Sequence, residues 1–115
     1  FLIEFSVSKD SPCIAQLVSK AQVPFTWRMN AGRPRRCRLE DVDGHSVIGN
    51  TTLRPAHPLK PGNKYISIVE AHNDRGTCLI NGQLIAEHKT NYSDLGRNQK
   101  WTMPDELRLG LGTSQ

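Results

Sequence analysis

Apolar and polar residues alternate with a period of two in short segments along the chain, and this alternation is its strongest structural signal. In the first segment, Phe1, Ile3, Phe5 and Val7 fall on one face of an extended chain, which predicts a strand with one buried side. Further strands are predicted over residues 14–18, 24–29, 36–42, 64–72, 77–80, 83–88 and 107–111. No window shows the spacing and caps of an amphipathic helix. Short strands without helices predict an antiparallel all-β sandwich or barrel.

Turn signals separate these segments. Asn30-Ala31-Gly32 and Asp43-Gly44 are typical of turns, and Asn81-Gly82 is the strongest signal for a two-residue hairpin. Glycines and prolines interrupt residues 45–63 and predict a long irregular connection, with a short extended piece over residues 52–54. Connections of this length are often functional. We therefore expect the loops over residues 50–63 and 90–101 to contribute to a ligand site.

The length of 115 residues is that of one domain, and we expect a single β-sandwich over residues 1–115. The longest apolar run has three residues, whereas a membrane-spanning helix needs about 20, so we expect no membrane span. Because the chain begins with Phe1 inside strand-like sequence, we expect it to be a segment of a longer protein. The sequence leaves the cellular compartment open.

The three cysteines, Cys13, Cys37 and Cys78, are an odd number without a C-x-x-C pair. This spacing argues against a disulfide framework and favours buried free thiols, although one disulfide with one free thiol stays open. The four histidines are dispersed, so the chain lacks the clustered ligands of a zinc site. Asp41 and Asp43 resemble the first ligands of a calcium-binding loop, but the later ligands of such a loop are missing at the required spacing. A turn is therefore favoured at these residues. We expect no metal and no cofactor.

Much of the net charge of +4 comes from one arginine cluster, which consists of Arg33, Arg35, Arg36 and Arg38. Nucleic-acid domains usually spread cations along a face and place aromatic rings between them. Only Phe25 and Trp27 lie near this cluster in sequence, which argues against nucleic acid as a partner. A solvated turn and strand edge is the favoured interpretation, and a polyanion-binding patch is the alternative.

The second half of the chain carries a resemblance to a known fold family. Residues 39–44 read Leu-Glu-Asp-Val-Asp-Gly, residues 62–69 read Gly-Asn-Lys-Tyr-Ile-Ser-Ile-Val, and the Asn81-Gly82 hairpin, Trp101, Pro104 and the Leu-Gly-Leu-Gly of residues 109–112 follow. This order resembles the concanavalin A-like, laminin-G-like jelly-roll sandwiches found as modules of large bacterial proteins. The resemblance implies a two-sheet antiparallel sandwich with a lectin-like or protein-binding role.

Sandwiches of this family usually have one more strand at each end than this chain provides. If those strands are absent, a sheet edge is left unpaired, which folded proteins avoid. We therefore expect a flanking domain or a partner chain to cover an exposed sheet edge.

Two groups of residues are candidate ligand contacts. Trp101 and Tyr92 lie in polar segments and are the candidate surface rings best suited to stack on a sugar, although packing of Trp101 against the end of the sandwich is equally consistent with the sequence. Glu70 and His72 are two apart on a predicted strand and share a face. Glu87 lies on a nearby strand, and together with Glu70 it could form the paired carboxylates of a glycosidase. Charged residues on a solvated sheet face are far commoner, so these residues are predicted to bind a ligand rather than to catalyse.

The sequence thus favours a non-catalytic recognition module of a larger protein, with a protein or a glycan as ligand. Two alternatives from other classes stay open, namely an accessory domain of a glycoside-hydrolase-type enzyme and a polyanion-binding β-domain.

Overall fold

The computed structural model describes residues 1–8, 13–97, 101, 103–105 and 108–114, and these residues contain no α-helix. The described part of the chain forms nine strands: β1 (Leu2–Ser6), β2 (Cys13–Lys20), β3 (Val23–Ala31), β4 (Arg36–Glu40), β5 (Arg54–Pro55), β6 (Lys64–Ala71), β7 (Arg75–Ile80), β8 (Gln83–Lys89) and β9 (Gly110–Ser114). The two-residue turn predicted at Asn81-Gly82 joins β7 to β8, and both of its residues have positive φ.

The strands form two antiparallel sheets. The four-stranded sheet has the order β1-β6-β7-β8, and the five-stranded sheet has the order β5-β4-β3-β2-β9. The two sheets pack into a compact globule, so the predicted all-β, two-sheet antiparallel sandwich is confirmed.

The core consists of side chains at alternate positions of the strands, which point inward between the two sheets. Phe25, Trp27 and Met29 share the inner face of β3 and are buried, as their period-two spacing predicts. A buried polar group lies within this core: the Ser67 hydroxyl donates to Gln16 Oε1 at 2.8 Å. Gln16 Nε2 donates in turn to the Phe1 carbonyl at 3.2 Å. The Gln16 amide is therefore satisfied by Ser67 of β6 and by Phe1, which directly precedes β1.

Most strand boundaries differ from the sequence prediction by one to three residues, and two of these differences have a clear local cause. The turn predicted at residues 30–32 begins later, because β3 continues through Ala31 and a register shift between Arg28 and Ala31 absorbs the positive φ of Asn30. The last strand, predicted over residues 107–111, begins at Gly110, and residue 107 lies outside the described residues. A glycine-rich strand gives little apolar alternation, which explains why its position was predicted wrongly.

The three cysteines are all free and buried, as predicted. Burial raises the pKa of the Cys37 thiol, with a smaller effect of Cys13 in the same direction against hydrogen bonds from the backbone of Asn30 and His57. Burial also raises the pKa of Cys78 far above its usual value. Both thiols therefore stay protonated and pack as small apolar side chains.

Candidate functional site

The outer face of the four-stranded sheet carries a row of aliphatic side chains. Leu2 is paired with Ile68, Ile68 with Leu79, and Leu79 with Leu84, so the four residues lie side by side across all four strands. We call these four residues the aliphatic row. Leu2 is 56% exposed and Leu84 54%, while the two central residues are half-buried. Ile66 lies next to the row on the same face of β6 and is exposed.

Sequence reasoning missed the aliphatic row, although part of its signal was present. The segment over residues 64–72 is apolar at Ile66 and Ile68, but in the structure these side chains lie on the outer face of β6. Tyr65, Ser67 and Val69 occupy the inner face instead. A strand that is apolar on both faces does not reveal which face is buried. The sequence signal that could have revealed the aliphatic row is the presence of apolar residues on both faces of this strand.

Exposed charged pairs surround the aliphatic row. Lys64 Nζ lies 3.6 Å from Glu4 Oε1, and Arg75 Nε lies 3.9 Å from Glu87 Oε2. His72 Nε2 lies 3.2 Å from Glu70 Oε2, a pair that is ionic only when the histidine is protonated. These pairs are largely solvated, and such contacts contribute little to stability. The face is thus apolar along the row and carries both signs of charge around it.

The structure brings Glu70, His72 and Glu87 to this same face. Glu70 and Glu87 are both paired with Thr77, so one strand separates them and their backbones are about 10 Å apart. Their side chains are half-exposed, and each lies close to a basic side chain. Ligand binding by these three residues stays a prediction.

Trp101 and Tyr92 do not lie at the surface, so the exposed position predicted for their rings is wrong. Trp101 is 8% exposed and packs with Ala15, Leu17 and Met103 on the outer face of the five-stranded sheet. It reaches this position because β9 has glycine where the ring approaches: a Cβ on Gly112 would lie 2.7 Å from Trp101 Cε3.

Tyr92 is 1% exposed and packs against Phe25, with ring centroids 5.6 Å apart. Its hydroxyl lies 2.7 Å from the His72 carbonyl oxygen and 2.9 Å from that of Arg75. Burial, with smaller contributions from nearby acidic groups, raises the pKa of this hydroxyl. The phenol is therefore a protonated donor that fixes the β6–β7 connection.

The turn around Tyr92 is fixed by a second polar cluster. His88 Nε2 lies 2.7 Å from Asp94 Oδ2, and the Thr90 hydroxyl donates to Asp94 Oδ1. Burial pushes the pKa of Asp94 upward, but the hydrogen bonds from Thr90 and His88 outweigh it and the net pKa is below the usual value. Asp94 is therefore a carboxylate that holds the chain after β8 in place.

The arginine cluster divides between the surface and the interior. Arg33 and Arg36 are exposed, and Arg35 is half-buried with its Nη1 donating to the Asn30 carbonyl at 2.8 Å. Arg38 is buried, with 7% of its side chain exposed, so the predicted solvated strand edge is wrong for this residue. The alternation of β4 places Arg38 and Glu40 on the face opposite Cys37 and Leu39, a pattern that by itself predicts exposure and gives no signal for burial.

A buried charged network occupies the outer face of the five-stranded sheet. Arg28 Nη1 donates to Glu40 Oε1 at 2.9 Å, and Arg38 Nη2 lies 3.9 Å from the same oxygen. Arg28 also points Nε and Nη2 at the Cys13 sulfur, at 3.1 and 2.9 Å. Its guanidinium lies 4.9 Å from the centre of the Trp101 ring, a distance at which a cation and an aromatic face attract.

Within the described residues, no group of His, Cys, Asp or Glu side chains could hold a metal ion. None of these residues forms a helix of the length and apolarity that a membrane crossing requires. Comparisons with known protein families, with curated proteins and with solved structures gave no match. The resemblance to concanavalin A-like modules therefore stays a prediction, and the site rests on the geometry of this chain alone.

Proposed function

We propose that this domain is a non-catalytic recognition module that binds a protein partner on the outer face of its four-stranded sheet. The observation that carries this proposal is the aliphatic row, in which four neighbouring strands each place one aliphatic side chain at the same level. Contiguous apolar surface rimmed by polar groups is typical of interaction sites. Covering the exposed halves of Leu2 and Leu84 would contribute about 1 kcal/mol each to binding.

The chemistry of this face favours a protein over a glycan. Sugar sites use aromatic platforms, whereas the described strands of this sheet place no Phe, Tyr or Trp on the outer face. An apolar centre with a polar, partly charged rim is the usual anatomy of a protein interface. The expected partner therefore presents an apolar surface flanked by charges that complement Glu4, Lys64, Arg75 and Glu87.

The jelly-roll resemblance supports the same class of function, because its relatives serve as appended binding modules. The expectation that a flanking domain or partner chain covers a sheet edge belongs to this proposal as well. Among the described residues, β1 and β8 are the outermost strands of the four-stranded sheet, and each contributes one end of the aliphatic row. A partner seated on this face would lie close to both edges.

The test uses a photo-crosslinking amino acid at position 84 to identify the contacting protein, followed by titration calorimetry with that protein purified. We expect Leu84→Glu to weaken binding at least tenfold, because it places a charge in an apolar interface. Ile48→Glu is the matched control, since Ile48 is 91% exposed and lies in the connection between β4 and β5, two strands of the other sheet. It should leave the affinity unchanged.

Equal loss of affinity in both variants would contradict the assignment of the face. Binding of a purified glycan that Leu84→Glu abolishes would instead replace the protein partner with a carbohydrate. Hydrolysis of a polysaccharide that Glu70→Gln abolishes would overturn the non-catalytic part of the proposal.

A further inference from the structure

A cavity of about 240 Å³ lies at the turn between β3 and β4, on the sheet opposite the aliphatic row. Its volume is several times the roughly 30 Å³ that one water occupies in the liquid. The residues around it fall into two groups. Three are arginines (Arg33, Arg36 and Arg38), and the others are apolar or glycine (Ala31, Gly32, Pro34, Val47 and Leu53). Among the described residues, no acidic residue lines it.

Arg38 is the buried member of the three arginines. Its Nε has no hydrogen-bond partner among the described residues, although the atom is shielded from solvent. The nearest carboxylate oxygen, Glu40 Oε1, lies 3.9 Å from Arg38 Nη2 but only 2.9 Å from Arg28 Nη1, so Glu40 pairs mainly with Arg28. A buried guanidinium that is only weakly paired with a carboxylate lowers the stability of the fold.

The electrostatics of Arg38 agree with this geometry. Burial lowers the pKa of Arg38, the neighbouring Arg28 lowers it further, and Glu40 only partly opposes them. An anion next to the guanidinium would satisfy the open Nε and relieve the repulsion between the two cations.

We propose that this cavity binds the oxyanion of a phosphate or sulfate monoester. Arg38 supplies the buried donor, Arg33 and Arg36 supply charge from the exposed part of the wall, and a planar guanidinium can donate two parallel hydrogen bonds to two oxygens of such a tetrahedral anion. The apolar wall of Pro34, Val47 and Leu53 is suited to the carbon part of an ester, which a free ion does not have. This site is independent of the protein-binding face.

The experiment is a calorimetric titration of the whole chain with inorganic phosphate, inorganic sulfate and phenyl phosphate, at constant ionic strength set with chloride. We expect saturable binding of phosphate and sulfate, and binding of phenyl phosphate at least threefold tighter. Absence of saturable binding by any of the three would overturn the site. Equal affinity for phosphate and its phenyl ester would overturn the role of the apolar wall.

Variants locate the site. Arg38→Gln should weaken binding at least tenfold, and Arg36→Gln, which changes an exposed residue and leaves the fold intact, should weaken it several-fold. Arg75→Gln removes the same charge from the other sheet and should change the affinity less than twofold. If Arg75→Gln and Arg36→Gln weakened binding equally, the effect would be a response to net charge and the site would be excluded. The circular dichroism melting temperature of each variant shows that it is folded.

Discussion

The outer faces of the two sheets differ in whether other side chains cover them and in the residues that they carry. The outer face of the five-stranded sheet is covered by Trp101 and Met103, and beneath Trp101 lies the Arg28 guanidinium, which pairs with the buried Glu40. The outer face of the four-stranded sheet has no such cover among the described residues, and it is aliphatic where the other is charged. The covered face thus holds buried charges, whereas the open face holds exposed aliphatic side chains with solvated charged pairs around them.

This contrast distinguishes charged groups that are buried in the fold from groups that are accessible to solvent. A buried carboxylate such as Glu40 must keep its partners, because an unpaired buried charge is strongly destabilising. The charged residues of the open face can lose their partners at little cost, because they are solvated. Its aliphatic side chains need no hydrogen-bond partner. The positions of charged residues in the sequence are therefore a poor guide to which face is exposed, and at the arginine-lined cavity Arg38 Nε is buried without a hydrogen-bond partner among the described residues.

The largest expected effect tests the covered face. Glu40→Gln removes the carboxylate between two guanidinium groups and should lower the free energy of unfolding by about 3–5 kcal/mol. Glu70→Gln is the matched change on the open face and should cost less than about 1 kcal/mol, because Glu70 is solvated. Urea denaturation of both variants measures the difference. Similar losses in the two variants would show that the two faces are not energetically distinct.

The next effect tests how Trp101 covers its sheet. Gly112→Ala places a methyl group against the Trp101 ring and should destabilise the protein by about 1–3 kcal/mol. It should also shift the fluorescence of Trp101 toward that of a solvated indole. Gly96→Ala is the control, since a Cβ there meets nothing closer than 3.9 Å. An unchanged spectrum and stability in Gly112→Ala would contradict the close packing of Trp101 on β9.

Features that depend on neighbouring residues were predictable from the sequence. The Asn81-Gly82 hairpin follows from two residues with positive φ, and the buried face of β3 follows from the spacing of Phe25, Trp27 and Met29. The two-sheet sandwich follows from the lack of helical periodicity.

Features decided by distant contacts were not predictable. β6 is apolar on both faces. The face that points inward is held there in part by a hydrogen bond between Ser67 and Gln16, which are 51 positions apart in the sequence. Trp101 lies in a polar segment, and its burial depends on the space left by Gly112. The cavity at Arg38 combines a turn, a strand and the loop around Val47, which no local pattern connects.

The smallest effect tests Asp94, a partly buried carboxylate that is hydrogen-bonded to Thr90 and His88 at the end of β8. The folded-state pKa of Asp94 is lowered, so its stabilisation is fully present above the unfolded-state pKa of about 4 and is lost as the pH falls through the folded-state value. Asp94→Asn should therefore cost about 1 kcal/mol at pH 7. The difference from the unmodified chain should shrink progressively below pH 4, because its carboxylate then becomes protonated. Urea denaturation of Asp94→Asn and of the unmodified chain between pH 3 and 7 measures this difference, and a difference that stays constant down to pH 3 would show that the contribution of Asp94 does not depend on charge.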